Sequence, residues 1–155
     1  MRYSFSILLV ITLFIGCKKD KFTIAPQISY KKITPNVYRT NQQIFSKIII
    51  GITDAEGDIG FKLGTDTCKF YIKNLLTGVL DSSLFLPDIA QIQSKKFEAE
   101  VEIELNPRYS PLLLVGTNRP RPRTDTLFYE IYTQDFAKNK SNVIKTTDPL
   151  FIITP

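Results

Sequence analysis

The sequence predicts an all-β chain folded as an immunoglobulin-like β-sandwich, and three observations predict it. Stretches of two-residue alternation recur along the chain. Clusters of Pro, Asn, Asp and Gly separate them, and no segment sustains a helical period. Six to eight short strands within roughly 120 residues is the strand density of such a sandwich.

Taken in order, Ile28 to Ile33 is a short β-prone run closed by Thr34-Pro35-Asn36. Ile44 to Thr53 is dense in β-branched residues, with Ile48, Ile50 and Ile52 on one face and Ile49 on the other. A strand apolar on both faces is expected at the centre of a sheet, covered on each side. Cys68 to Leu75 opens with Cys68, Phe70 and Ile72 inward and Lys69, Tyr71 and Lys73 outward. Asp88 to Lys96 has room for one or two helical turns. From Phe97 to Leu105 the alternation is complete: Phe97, Ala99, Val101, Ile103 and Leu105 share one face, and four glutamates at 98, 100, 102 and 104 share the other. That wet face is expected to lie opposite lysines of a neighbouring strand, such as Lys69 and Lys73. Leu127 to Thr133 alternates again, Asp135 to Asn142 is a polar turn, Val143-Ile144 is too short to stand alone, and Leu150 to Thr154 is the last strand.

The N-terminus carries an address. Arg2 precedes an apolar run, Ile7 to Ile15, interrupted only by Thr12. This is the basic start and short apolar stretch of a secretory signal, and it falls short of the ~20 residues a spanning helix needs. The run ends in Phe14-Ile15-Gly16-Cys17, which resembles the lipobox of bacterial lipoproteins and so implies a lipid on Cys17; the charged Lys18-Lys19-Asp20-Lys21 follows. The expected organisation is a leader over 1–16, a lipidated tether over 17–25 and a β-sandwich over 26–155.

Composition narrows the chemistry. The formal charge is +5, and +4 once Arg2 leaves with the leader, a mild excess unlike the dense basic patch of a nucleic-acid binder. The chain has no histidine, which excludes Ser-His-Asp and Cys-His catalysis and every His-ligated metal site. With Cys17 lipidated, Cys68 has no disulfide partner, and its place beside Phe70 and Ile72 reads as a small buried hydrophobe.

Two loops could carry a site. Asp54-Ala55-Glu56-Gly57-Asp58-Ile59-Gly60 follows the most apolar strand and sets carboxylates at alternate positions among glycines, a pattern suited to wrapping a hard cation in oxygen. It is not an EF-hand, since Ile59 and Thr65 stand where that motif requires Gly and Glu. If the turn at Asp135 lies at the same end of the sandwich, then Asp54, Glu56, Asp58 and Asp135 converge on Ca²⁺; otherwise both are solvated turns. Arg119-Pro120-Arg121-Pro122-Arg123 is extended by its prolines, and its three arginines suit phosphates, acidic glycans or a partner protein.

The lipobox resemblance of Phe14 to Cys17 implies acylation of Cys17 and anchorage in a membrane. Asp54 to Gly60, with Tyr129 to Asn142 read as Y-x-I-x-x-x-D-x-A-x-N-x-S-N, is similar to small uncharacterised lipoproteins of Bacteroidota-type bacteria. Those carry a D-x-D-G-D-I-G-like loop, with aspartate where this chain has Glu56. The resemblance implies a single immunoglobulin-like or cadherin-like domain and no particular activity.

The expectation is therefore a non-catalytic, lipid-anchored binding or structural module of the cell envelope, at the outer membrane. Its partners would be the membrane through Cys17 and an envelope protein or glycan, with no nucleic acid. No cofactor is required, and Ca²⁺ is the one candidate. The alternative is a small hydrolase of envelope polysaccharide using paired carboxylates among Asp54, Glu56, Asp58 and Asp135.

Overall fold

The computed structural model describes residues 20–60, 68–82, 86, 95–108, 111–116 and 120–155. The expected leader over 1–16, Cys17, Arg119 and most of 88–96 lie outside them. The described chain is all-β, with ten strands, a 3₁₀ turn at Pro111–Leu113 and no α-helix. Among the described residues, no helix is long and apolar enough to cross a membrane.

The strands are β1 (Gln27–Thr34), β2 (Val37–Arg39), β3 (Ser46–Asp54), β4 (Phe70–Asn74), β5 (Leu80–Asp81), β6 (Phe97–Leu105), β7 (Arg123–Leu127), β8 (Tyr129–Thr133), β9 (Ile144–Lys145) and β10 (Leu150–Thr154). They form three sheets, ordered β1-β3-β6, β2-β10-β7 and β5-β4-β8-β9. Every pairing is antiparallel except β2 with β10.

β3 takes the centre of its sheet, as its sequence demands. Ile48, Ile50 and Ile52 are at most 1% exposed, and Ile49 on the opposite face is only 5% exposed. One cluster of buried side chains gathers these isoleucines with Phe70, Ile72, Leu127, Tyr129, Ile131, Leu150 and Ile152, so all three sheets share a core. Each such side chain contributes about 1.5–3 kcal/mol on burial. Cys68 is buried among them, and its burial pushes the thiol up to about 11.

β6 keeps its glutamates in water, but their cations differ from those expected. β6 pairs with β3, so Lys47 meets Glu102 at 2.7 Å and Lys21 meets Glu98 at 2.6 Å. Lys69 and Lys73 belong to the β4 region in another sheet. The single strand expected over Leu127 to Thr133 is divided at Phe128. Alternation of buried and exposed residues continues through the break. The pairing partner changes there: Leu127 faces Leu150 of β10, whereas Tyr129 faces Asn74 of β4.

The turn after β8 ties two sheets together. Asn142 accepts from the Ile28 amide through Oδ1 at 2.7 Å and donates to the Ile28 carbonyl through Nδ2 at 2.9 Å. Its side chain thus occupies the place of one more ladder residue on the outer edge of β1. Asn142→Ala is expected to cost about 2 kcal/mol in urea unfolding, because both backbone groups of a buried residue lose their partner. Asn142→Asp, which keeps the acceptor alone, is expected to fall between. A cost below a few tenths would mean that water replaces the bridge fully.

Candidate metal centre

Asp54 is the last residue of β3, and its alternation with Ile52 and Ile50 points its side chain into the interior. It is wholly buried. Its Oδ2 accepts the backbone amides of Glu56 at 3.1 Å and Gly57 at 2.6 Å, closing the loop back on the strand end. Gly57 then takes φ 69°, a left-handed conformation that glycine adopts at no steric cost. This turn leaves Glu56 on the exposed outside and brings Asp58 in from the other direction.

The second loop is built around Asp135, which is 1% exposed. Its Oδ1 accepts the Asn139 amide at 2.7 Å and its Oδ2 accepts Asn139 Nδ2 at 2.8 Å. Ser141 Oγ accepts the Thr133 amide at 3.0 Å and donates to the Asn142 carbonyl at 2.7 Å. Asp135, Asn139 and Ser141 therefore form the internal bonding of one turn, whereas Asn142 reaches across to Ile28. The Phe136 amide donates to the Asp58 carbonyl at 3.0 Å, which joins the two loops directly.

The result is a three-carboxylate group. One oxygen from each of Asp54, Asp58 and Asp135 lies within 4.8 Å of the others. Asp54 Oδ1 and Asp58 Oδ1 are buried and have no hydrogen-bond partner. A buried carboxylate oxygen without donors is costly, and protein sites carry one where a proton or a cation completes it. Burial is the main cause that raises the pKa of Asp54, opposed by its amide donors and assisted by the charge of Asp135. Asp58 is also raised, by burial first, then by the charges of Asp135 and Asp54, and by the proton its carboxyl can share with that of Asp54. Hard oxygen ligands suit Ca²⁺ or Mg²⁺, and the irregular loop set fits the looser coordination of Ca²⁺.

Of the four acids expected to converge, three do so. Glu56 stands outside the group and contributes its backbone amide instead. The arginine run also departs from expectation. Arg123 opens β7 and turns inward to Asp125, Nε to Oδ2 at 3.1 Å, with both side chains at most 10% exposed. It is therefore committed within the fold, while Arg121 remains exposed.

A groove of about 680 Å³ crosses the outer face of β1, β3 and β6 at Gly51, bordered by Lys21, Lys31, Glu98 and Glu100. None of Asp54, Glu56, Asp58 or Asp135 lines it. Comparison of the chain with protein-family models, curated proteins and solved structures gives no significant match.

Proposed function

We propose that this chain is a lipid-anchored protein of the cell envelope whose domain is a non-catalytic binding or structural module, stiffened by Ca²⁺ between two loops. The observation that carries the reading is the pair of buried, unpartnered oxygens on Asp54 and Asp58 beside Asp135. A cation there would replace mutual repulsion with attraction and clamp the loops that Asp58 and Phe136 already connect.

The sheet orders favour an immunoglobulin-like sandwich. β1, β3 and β6 make one layer. Only Phe128 separates β7 from β8, and four residues separate β9 from β10, so the other two sheets follow on from one another as the expected second layer. β2 follows β1 by crossing to that layer and pairing parallel with β10. A sandwich of this kind presents its loops at two ends for contacts with other molecules. The envelope address rests on the leader and on Cys17.

Burial argues against the hydrolase alternative. Glycoside hydrolysis holds two carboxyl groups about 5–9.5 Å apart across an open sugar cleft. Asp54 and Asp135 are closed to solvent and lie within reach of a single ion.

Calorimetric titration of the full chain in detergent should detect one Ca²⁺ per chain at roughly 0.1–1 mM, the range of extracellular modules. Asp58→Ala should abolish the heat. Absence of binding to the wild type at 10-fold higher calcium, on the order of 10 mM, would overturn the metal assignment. Detergent-phase partition of wild type against Cys17→Ser tests the anchor separately; equal partition would overturn it.

A further inference from the structure

We propose that the end of the domain bearing Asp54, Asp58 and Asp135 faces the membrane and docks on anionic lipid headgroups, an orientation that rests on anchorage at Cys17. The first reason is reach. Lys21 is fixed to the end of β3: Thr53 Oγ1 donates to its carbonyl at 2.8 Å, and its ammonium meets Glu98 at 2.6 Å. Two residues on, the Thr23 carbonyl accepts the amide of Ala55, inside the candidate metal loop, at 3.1 Å. Four residue steps separate Cys17 from Lys21, and at full extension they span about 14 Å. The far end of β3 lies another eight steps away, about 26 Å along the strand. A lipid on Cys17 therefore holds the metal end near the headgroups and holds the other end off.

Charge is the second reason. Lys96 precedes β6 and donates its amide to the Ala55 carbonyl at 3.1 Å, which places Lys95 and Lys96 at this end. Lys138 and Lys140 stand on the turn whose Phe136 bonds to Asp58. With Lys21 these lysines are all exposed, and a lysine near an anionic surface is worth about 1 kcal/mol, less where it also pairs within the fold, as Lys21 does with Glu98. Among the described residues, Asp20, Glu56, Glu98 and Glu100 are exposed acids close to this end. The three clustered aspartates would add repulsion from the headgroups, and a bound cation offsets most of it. Ile24, 63% exposed on the tether itself, supplies an apolar side chain for the interface.

The test uses the full lipidated chain on phosphatidylcholine vesicles with and without phosphatidylglycerol, in calcium or EGTA. A fluorescent thiol probe is placed at Ala137→Cys, at the metal end, or at Arg108→Cys, just beyond the opposite end of β6. Cys68 is buried with a raised thiol pKa and stays unlabelled at neutral pH. Brominated lipid should quench the 137 probe several-fold more than the 108 probe. Quenching should weaken without phosphatidylglycerol, in EGTA, and in a Lys138→Glu, Lys140→Glu variant. Vesicle flotation with equal quenching at both positions, or with more at 108, overturns the orientation alone. A wild type that does not float, while its melt still responds to calcium, overturns the anchor and the orientation with it.

Discussion

Chelating calcium is expected to lower the thermal midpoint of the wild-type chain by about 5–10 °C relative to 10-fold to 100-fold saturation. An ion that binds only the folded state stabilises it by RT ln(1 + [L]/Kd), about 1.4–2.7 kcal/mol over that range. For a domain of this size, each kcal/mol moves the midpoint by about 3–5 °C. Asp54→Asn separates a metal site from an ordinary turn through a reversal of sign. In calcium the variant should melt below the wild type, because the ion is lost. In EGTA it should melt above it, because one of three crowded, desolvated charges has gone. A variant that melts lower in both conditions by the same amount would sink the site.

The pH dependence follows the same logic. Asp54 and Asp58 have folded pKa values above their unfolded ones, chiefly through burial. The folded state then holds these protons more tightly than the unfolded chain does. The stability they contribute is fully present below the ordinary carboxylate value of about 4 and is lost as pH rises through the raised values. Chelated protein should therefore lose stability across that window. Calcium should counter the loss, since ionised carboxylates are the form that binds it, and the calcium-dependent shift should fade as the medium is acidified.

Asp135→Ala is expected to be the more damaging of the two loop substitutions, by about 2–3 kcal/mol in EGTA. Asp135 closes its own turn through both carboxylate oxygens, to the Asn139 amide and side chain. Its loss leaves a backbone donor unpaired and removes two charge-assisted bonds, each worth about 1.5–3 kcal/mol before relaxation. Asp58 Oδ1 accepts no such bond, and the contact of residue 58 with Phe136 runs through its backbone carbonyl. Asp58→Ala should accordingly be neutral or slightly stabilising in EGTA and costly in calcium. Urea unfolding of both variants, with and without calcium, gives the four numbers needed. Equal costs in EGTA would mean that Asp135 has no structural duty apart from the ion.

The all-β character could be read from residues alone, because it depends on local order. Two-residue periodicity assigns each side chain to a face before any partner is known. β3 and β6 illustrate this: Ile48 to Ile52 and the four glutamates of β6 occupy the predicted faces. Periodicity does not say which strand lies alongside. The glutamates consequently meet Lys47 and Lys21, rather than Lys69 and Lys73. For the same reason Phe128 interrupts what reads as one strand, since the chain changes partner there. The acidic loop was legible as a feature, but its membership was not. Asp54 and Asp135 are about eighty residues apart, and only the stacking of the sheets brings their loops together. Glu56 looked equivalent to its neighbours in spacing, yet the left-handed turn at Gly57 turns it out to solvent. Arg123 likewise read as part of an exposed basic run until β7 carried it inward to Asp125. Asn142 had no visible task in sequence, because its partner Ile28 begins the domain and Asn142 lies near its end. Tertiary structure decided these pairings because a side chain's composition and phase are local properties, whereas its neighbour is fixed only when distant strands pack.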